Sequence, residues 1–367
     1  YRFSLQSIRD WAAETFTSPE VSCLFASFAA FVDAAPDDAG GAEIARLFAS
    51  VLQAEGNNLV RGGMNNVTRA LAAYLANHGG EVRTRAPVAR ILVENKRATG
   101  VELESGEIMS AGLIVSAADP RQLVERFLGP TVAGPELTAR IRNYEWGDAV
   151  CVLFTALDGP VDYAAGPEAG AASHVHLTHP SLEAISQAFT ETRSGLLPAA
   201  PVIVAWNDTA IDPSRAPAGK HLKKFVILGV PYHIAGDATG QISGRDWDAE
   251  KDAYADYLID HVIARYLPDL RRRLIRRVMH SPRDLERTLS SAVRGTILHG
   301  AMKPYQMGSQ RPVPGLGEYR TPIPNVYICD SGTHPGPGVS MGSGYNAARV
   351  ISRDLGLSFP AIGHGVR

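Results

Sequence analysis

The chain has 367 residues, 45% hydrophobic and 20% charged, with 36 basic and 38 acidic side chains and a formal charge of −2. That length supplies core for two domains or one large one, and the balanced charge excludes a polyanion-binding protein as a whole. Three cysteines, Cys23, Cys151 and Cys329, stand far apart without C-x-x-C spacing, which excludes a disulfide framework or zinc knuckle and suits a reducing, cytoplasmic compartment. No apolar run approaches the ~20 residues of a spanning helix, so membrane contact is expected to be peripheral at most. The opening YRFSLQSIRDWAAETF has no signal-peptide layout and no initiating Met, so an interior start is expected: a fragment, a processed product or a trimmed chain.

In chain order, residues 1–56 read as helices, with an amphipathic SLQSIRDWAAETF, an apolar VSCLFASFAAFVDAA and, after a Gly-Gly break, AEIARLFASVLQAEG. A helix is predicted over 66–78, preceded by Gly62-Gly63 and closed by Gly79-Gly80. Val82, Val88, Ile91, Val93, Val101, Leu103 and Ile108 are spaced as in an antiparallel meander, with turns at Asn95-Lys96 and Ser105-Gly106, and Leu113–Ser116 reads as a fully buried strand. The middle alternates strands (AVCVLFTAL, HVHLTH, PVIVAWN, KKFVILGVPYHI) with helices over 182–190 and, unbroken, 248–266. The run LPDLRRRLIRRVM reads as one helix whose arginines form a solvated face, with an anionic-membrane or partner patch as the sharper alternative. A Pro/Gly-rich stretch leads to a final strand, Val326–Cys329, a glycine-rich loop and a closing helix over 344–355.

That loop carries two overlapping signatures. Gly338-Val339-Ser340-Met341-Gly342 spells the G-x-S-x-G of a serine hydrolase, but THPGPG separates the strand from Ser340. Only Asp354 and His364 follow as triad partners, too close to leave room for the strands that position a triad. Gly342-Ser343-Gly344-Tyr345-Asn346-Ala347 spells G-x-G-x-x-A, but it ends the chain instead of opening a βαβ unit. A strand, a loop holding Gly332, Gly336, Gly338 and Gly342, and a helix still suit backbone amides approaching a ligand that becomes negative.

VYICDSGTHPGPGVSMGSGYNAARV resembles the C-terminal flavin motif of the phytoene-desaturase-like FAD oxidoreductases. RGGMNNVTRALAAYLANHGG with the meander and LIVSAADP continues the resemblance. The stretch from SPRDLERTL to NVYIC is similar to the branch that includes a mitochondrial pyridine nucleotide-disulfide oxidoreductase domain protein. The likeness runs from about Asn58 to Leu355. It implies FAD as cofactor, with the main chain of Val88 on the adenine side and Ala117 and Ala118 lining the nucleotide crevice. Gly332, Thr333, Gly338, Val339 and Met341 are implied along the ribityl and isoalloxazine, with the helix from Gly344 aimed at the flavin. Asp330 replaces a glycine usual in the family; it either holds a ribityl hydroxyl or places a charge near the phosphates.

Relatives open with a G-x-G-x-x-G unit for the FAD pyrophosphate, and this sequence is expected to begin about 100–150 residues into the family pattern. The implied fold class is α/β (α+β): an FAD/NAD(P)-binding-like domain lacking its first βαβ unit, in residues 57–130 and 290–367, plus a substrate domain with an antiparallel or mixed sheet covered by helices, in residues 1–56 and 131–289. The implied activity is dehydrogenation or desaturation of an apolar, polyene, lipid-like or alicyclic substrate. The chain alone is expected to bind FAD poorly and to be inactive, completed by a missing segment or a partner chain. A non-catalytic binding or regulatory remnant and, distantly, a hydrolase using Ser340 are the alternatives. His299 and Tyr305 are the pocket candidates, but no catalytic base stands out, which suits desaturation by hydride loss with weak base assistance; His174 and His176 share a strand face with no third ligand in view, so no metal is expected.

Overall fold

A computed structural model describes residues 2–177 and 179–360 of the chain. It divides into two units, one of Tyr1–Val82 with Gly147–Ile297 and one of Arg83–Trp146 with Leu298–Arg367. These ranges differ from the expected ones for segments 57–82, 131–146 and 290–297, and hydrogen bonds show why. The Gly62 amide donates to the Asp212 carboxylate at 2.6 Å and Asn57 Nδ2 to Ser173 Oγ at 3.3 Å, which ties the first segment to the first unit. Arg140 donates to the Pro314 carbonyl at 2.7 Å and Tyr144 to the His299 carbonyl at 2.9 Å, which ties the second segment to the second unit.

The second unit begins with the meander β1 (Val88–Glu94), β2 (Arg97–Leu103) and β3 (Ile108–Ser110). Asn95 and Lys96 take φ of 49° and 61°, the paired left-handed geometry that matches the twist of a two-residue hairpin. Val82 lies outside the meander and is 56% exposed, against the strand spacing read from the sequence; Arg85 at φ 55° and Pro87 intervene before pairing starts. β4 (Ile114–Ser116) follows, and it is not the fully buried strand expected, because Val115 is 43% exposed. A short strand with one neighbour leaves an edge and part of a face open.

In the first unit β5 (Ala149–Leu157), β6 (His174–Leu177), β8 (Val202–Trp206), β9 (His221–Val230) and β11 (Leu274–His280) form an antiparallel sheet ordered β11-β5-β9-β8-β6. β7 (Leu196–Leu197) and β10 (Gly236–Asp237) pair in parallel beside it. Period-two alternation sends β9 side chains both ways: Phe225 and Ile227 into a core with Trp247, Tyr254 and Leu258, and Val226 and Leu228 into a second core. That second core is closed by helices Ile8–Thr15, Pro19–Ala30, Gly41–Glu55 and Leu182–Arg193. Tyr254 and Trp247 satisfy their polar tips on the Pro198 and Pro231 carbonyls, at 2.9 and 3.0 Å.

Two other expectations change. The helix predicted over 248–266 is α-helical only over Trp247–Tyr257; a π-turn, Leu258–Val262, and a 3₁₀ turn follow, keeping Leu258, Ile259, Val262 and Ile263 all buried. The arginine run is not one helix. It is a single turn, Leu270–Arg273, leading into β11, whose residues pair with β5. Its cations are also not a free stripe: Arg271 meets Asp256 and Asp260 at 2.9 and 2.7 Å, Arg272 meets Asp269 at 2.9 Å, and Arg277 meets Asp252 and Asp256 at 2.5 Å. Helix Asn65–Asn77, by contrast, buries no residue, and Leu71, Tyr74 and Leu75 are 51, 66 and 43% exposed. No helix among the described residues is long and apolar enough to cross a membrane.

Candidate functional site

In the second unit β12 (Val326–Ile328) pairs in parallel with β4, Val326 facing Ile114 and Ile328 facing Ser116, and the Cys329 amide extends the ladder to the Ser116 carbonyl at 2.8 Å. Both strands therefore stop side by side, β4 at Ala117-Ala118-Asp119 and β12 at Cys329-Asp330. Carboxyl ends of adjacent parallel strands are where α/β sheets leave a crevice for a ligand. Beyond β12 runs the loop 329–341, then the helix Gly342–Asp354, two residues longer at its start than the glycine pattern suggests.

Asp330 is 3% exposed and turned inward. One carboxylate oxygen meets His299 Nδ1 at 2.7 Å, and the other accepts the Gly332 amide. Thr333, fully buried, caps the same turn by donating its hydroxyl to the Asp330 carbonyl at 2.7 Å. The aspartate at the usual glycine position thus has a role that the sequence does not suggest: it fixes a histidine. With Asp330 on Nδ1, the imidazole presents Nε2 as its remaining nitrogen. Gly332 is required because a Cβ there would sit 2.5 Å from Asp330 Oδ1, 2.9 Å from the His299 carbonyl and 2.9 Å from Pro120 Cγ.

His299 itself sits at φ 52° and is held from behind. Tyr144, whose phenol burial pushes up to about 12, stays protonated and donates to the His299 carbonyl. Arg311 is wholly buried, and its guanidinium donates to the carbonyls of Leu298 (2.8 Å), Gly300 (3.1 Å) and Ala301 (3.2 Å). One cation therefore organises the backbone on both sides of the histidine. Asp119, at the end of β4, is also fully buried; burial raises its carboxyl above the usual range, and the Asp330 charge adds to that. Arg311, Tyr144 and Asp119 are not legible in the sequence, since nothing in a single chain marks one arginine among thirty as buried. Arg311→Met removes the guanidinium's bonds to three buried carbonyls, of which Ala301 keeps the Gln306 Nε2 donor at 3.0 Å, and is expected to cost about 2–3 kcal/mol, read as a lowered urea midpoint.

The other predicted positions divide. Gly338 (φ 122°) and Gly344 have no atom within 4 Å of where a Cβ would stand, while Val339 and Met341 are 74 and 53% exposed. The helix starts on Met341 in a left-handed conformation with no side-chain cap. Ala118 donates its amide to Ser116 Oγ at 3.3 Å, and the Val88 carbonyl accepts from Arg126 at 3.3 Å. Tyr305 is 63% exposed and hydrogen-bonded to Glu145. Ser340 lies exposed in the loop, its hydroxyl accepting the Gly342 amide at 3.3 Å. Asp354 is paired with Arg320 at 2.6 Å, and His364 lies outside the described residues, so no triad around Ser340 is assembled among the described residues. In the first unit His174 and His176 stand 5.5 Å apart by ring centres, and no group of three metal-binding side chains occurs among the described residues.

The family model for flavin containing amine oxidoreductases matches residues 3–355. The chain belongs to that family. Pyridine nucleotide-disulfide oxidoreductase domain-containing protein 2 of Rattus norvegicus is 32% identical over 305 residues, 81% of this chain and 51% of the rat protein. A limonene dehydrogenase subunit of Castellaniella defragrans is 28% identical over 96% of this chain and 65% of its own length. A lycopene-forming phytoene desaturase of a Paracoccus species is 27% identical over 80% and 55%. The chain thus spans about half to two-thirds of the length of these relatives. The solved structure of an oxidoreductase from Methanosarcina mazei covers 95% of this chain and is itself covered to 68%, with a TM-score of 0.59 and 15% identity, which establishes a shared fold.

The cofactor of this family is FAD, and the second unit's residues fit its flavin end. Open space over Gly338 and Gly344 and an uncapped helix start are what a close-lying ring with a carbonyl edge requires. Gly338, Val339, Met341 and Gly344 would line the ring, and Ala117 and Ala118 the crevice beside it. For the pyrophosphate the described residues supply no strand, glycine turn and helix of the usual kind.

Proposed function

We propose that the chain is the larger part of an FAD-dependent dehydrogenase or desaturase acting on an apolar substrate of polyene, lipid-like or alicyclic type. The carrying observation is the His299–Asp330 pair, placed where β4 and β12 end and beside the open glycine loop. FAD, when bound, supplies the two-electron acceptor. The chain's own part is to hold the substrate, exclude water and take up a proton at His299 Nε2, while Asp330 keeps the imidazole oriented.

The first unit favours an apolar substrate. Phe25, Phe28 and Phe31 pack against the sheet, and His176 lies 4.9 Å from Phe28 and 6.4 Å from Phe31 by ring centres. His174 stacks at 5.3 Å on Trp206. We assign this aromatic wall, with helices of residues 1–56 and the sheet behind it, to substrate, and residues of the second unit to FAD. Two relatives are named for hydrocarbon chemistry, on limonene and phytoene, which points the same way. The pyrophosphate would be held by residues outside this chain, in a preceding segment or a partner, so the chain alone is expected to be inactive.

The test supplies that cradle as a G-x-G-x-x-G βαβ segment from a family member, loads FAD and follows loss of the visible flavin band without oxygen. Reduction by cyclic or polyene hydrocarbons, slowed at least about a hundredfold in His299→Gln with FAD retained, is the expected result. Reduction by polyamines alone would contradict the substrate class, and no reduction by any donor would leave the non-catalytic remnant.

A further inference from the structure

A second site lies in the first unit, built around Lys223 at the start of β9. The residue is 8% exposed, and among the described residues no carboxylate comes within salt-bridge distance of its ammonium group. Its nitrogen instead meets the Asn207 amide oxygen and the Tyr163 phenol, the latter at 3.5 Å, and lies 4.6 Å from the centre of the Tyr163 ring. Tyr163 donates its own proton to Asn207 Oδ1 at 2.9 Å, and Asn207 is pinned by donating to the Ala169 and Ala172 carbonyls at 3.0 and 2.8 Å. These groups line a cavity of about 240 Å³, whose walls include Pro160, Val161, Pro167 and Leu222, with Asp162 as its acid.

A buried amine without a counter-ion is costly to keep charged, and its bonds to Asn207 and Tyr163 are to neutral groups that a neutral amine can also engage. Facing a small, mostly apolar cavity with a phenol beside it, the same amine is arranged as a nucleophile. We propose that Lys223 is a reactive amine that condenses with a small aldehyde held in this cavity, forming an imine. The amine nitrogen attacks the carbonyl carbon and the C=O electron pair goes to oxygen, which takes a proton. The resulting carbinolamine loses water as C=N forms, with Tyr163 placed to relay the protons. Aldehyde and amine give imine and water, with no change of oxidation state.

The charge balance agrees with the geometry. Burial lowers the Lys223 ammonium to about 8, Asp162 only partly opposing it, and burial raises the Tyr163 phenol to about 12. A fraction of the amine is therefore neutral near pH 7.5 while the phenol keeps its proton. Lys224, next along the strand, faces the other way, over the Trp206 ring at 4.5 Å, and is an internal comparison.

The chain has six lysines, Lys96, Lys220, Lys223, Lys224, Lys251 and Lys303, so the test needs no variant to be decisive. The protein is incubated at pH 7.5 with benzaldehyde and cyanoborohydride, and the reduced adduct at each lysine is followed by peptide mass spectrometry. Labelling at Lys223 is expected to exceed that at each other lysine at least about tenfold, and to saturate with aldehyde concentration. Tyr163→Phe is expected to slow Lys223 alone. Uniform labelling, Lys223 among the slowest, or a rate that stays linear in aldehyde overturns the proposal.

Discussion

Replacing Gly300 by alanine is expected to destabilise the protein by about 3–5 kcal/mol. Two costs coincide there. Gly300 holds φ 127°, a conformation side chains rarely adopt, worth about 1–3 kcal/mol by itself. A Cβ would also stand 1.7 Å from the Tyr144 hydroxyl and 2.2 Å from its Cζ, so the buried ring must move. Moving it breaks the Tyr144 bond to the His299 carbonyl, and the His299–Asp330 pair loses its backing. Gly338→Ala separates the terms, since it shares the unusual φ, at 122°, but meets no atom within 4 Å. Urea unfolding should show the first variant losing several times what the second loses; equal losses would remove the steric part of this account.

Acidification is expected to unfold the chain through its first unit, with His176 the largest single contributor. Burial depresses this imidazole from 6.5 to about 3, nearby His174 adds to the effect, and its Nδ1 has no hydrogen-bond partner. The folded pKa lies below the unfolded one, so in the window between them the unfolded chain binds the extra proton. Stability from this group is therefore complete above about 6.5 and is lost as pH falls toward 3. At about 1.4 kcal/mol per pH unit, roughly 4 kcal/mol disappears by pH 3.5. His174 and His179, whose pKa values burial also lowers, act in the same direction. His176→Leu keeps the packing against Phe28 and removes the titration. Its unfolding free energy should fall much less steeply between pH 6.5 and 4.5, and a slope equal to that of the parent would contradict the assignment.

Much of the fold is legible in the amino-acid sequence. Long apolar runs mark β5, β8 and β9, because strands covered on both faces are apolar at successive positions and do not alternate. Turn residues mark the meander, and the family resemblance puts the flavin at the glycine loop. What cannot be read is tertiary. The run of arginines looks helical until β5 is available to pair Leu274–His280 and the acids of the helix Trp247–Tyr257 are there to meet it. The π-turn after Tyr257 answers to core packing, which periodicity cannot see. His299 stands out by its neighbourhood in sequence, but its partner Asp330 lies 31 residues away, where position alone suggests a ligand to FAD. Arg311 carries no local signal at all; its importance comes from three carbonyls that the fold brings to it.

The central claim is that the loop ending in the helix Gly342–Asp354 receives the flavin ring. An FAD titration followed by flavin fluorescence tests it, using the chain alone, the chain joined to a family βαβ segment, and the joined form carrying Gly344→Glu. Gly344 has open space around it, so the fold tolerates the glutamate, whereas a ring lying there would not. The account predicts weak binding by the chain alone, tight binding by the joined form, and loss of at least about tenfold in the variant, since a charge and its bulk would occupy the ligand's place. Tight binding that ignores Gly344→Glu, or no binding by the joined form, would contradict it.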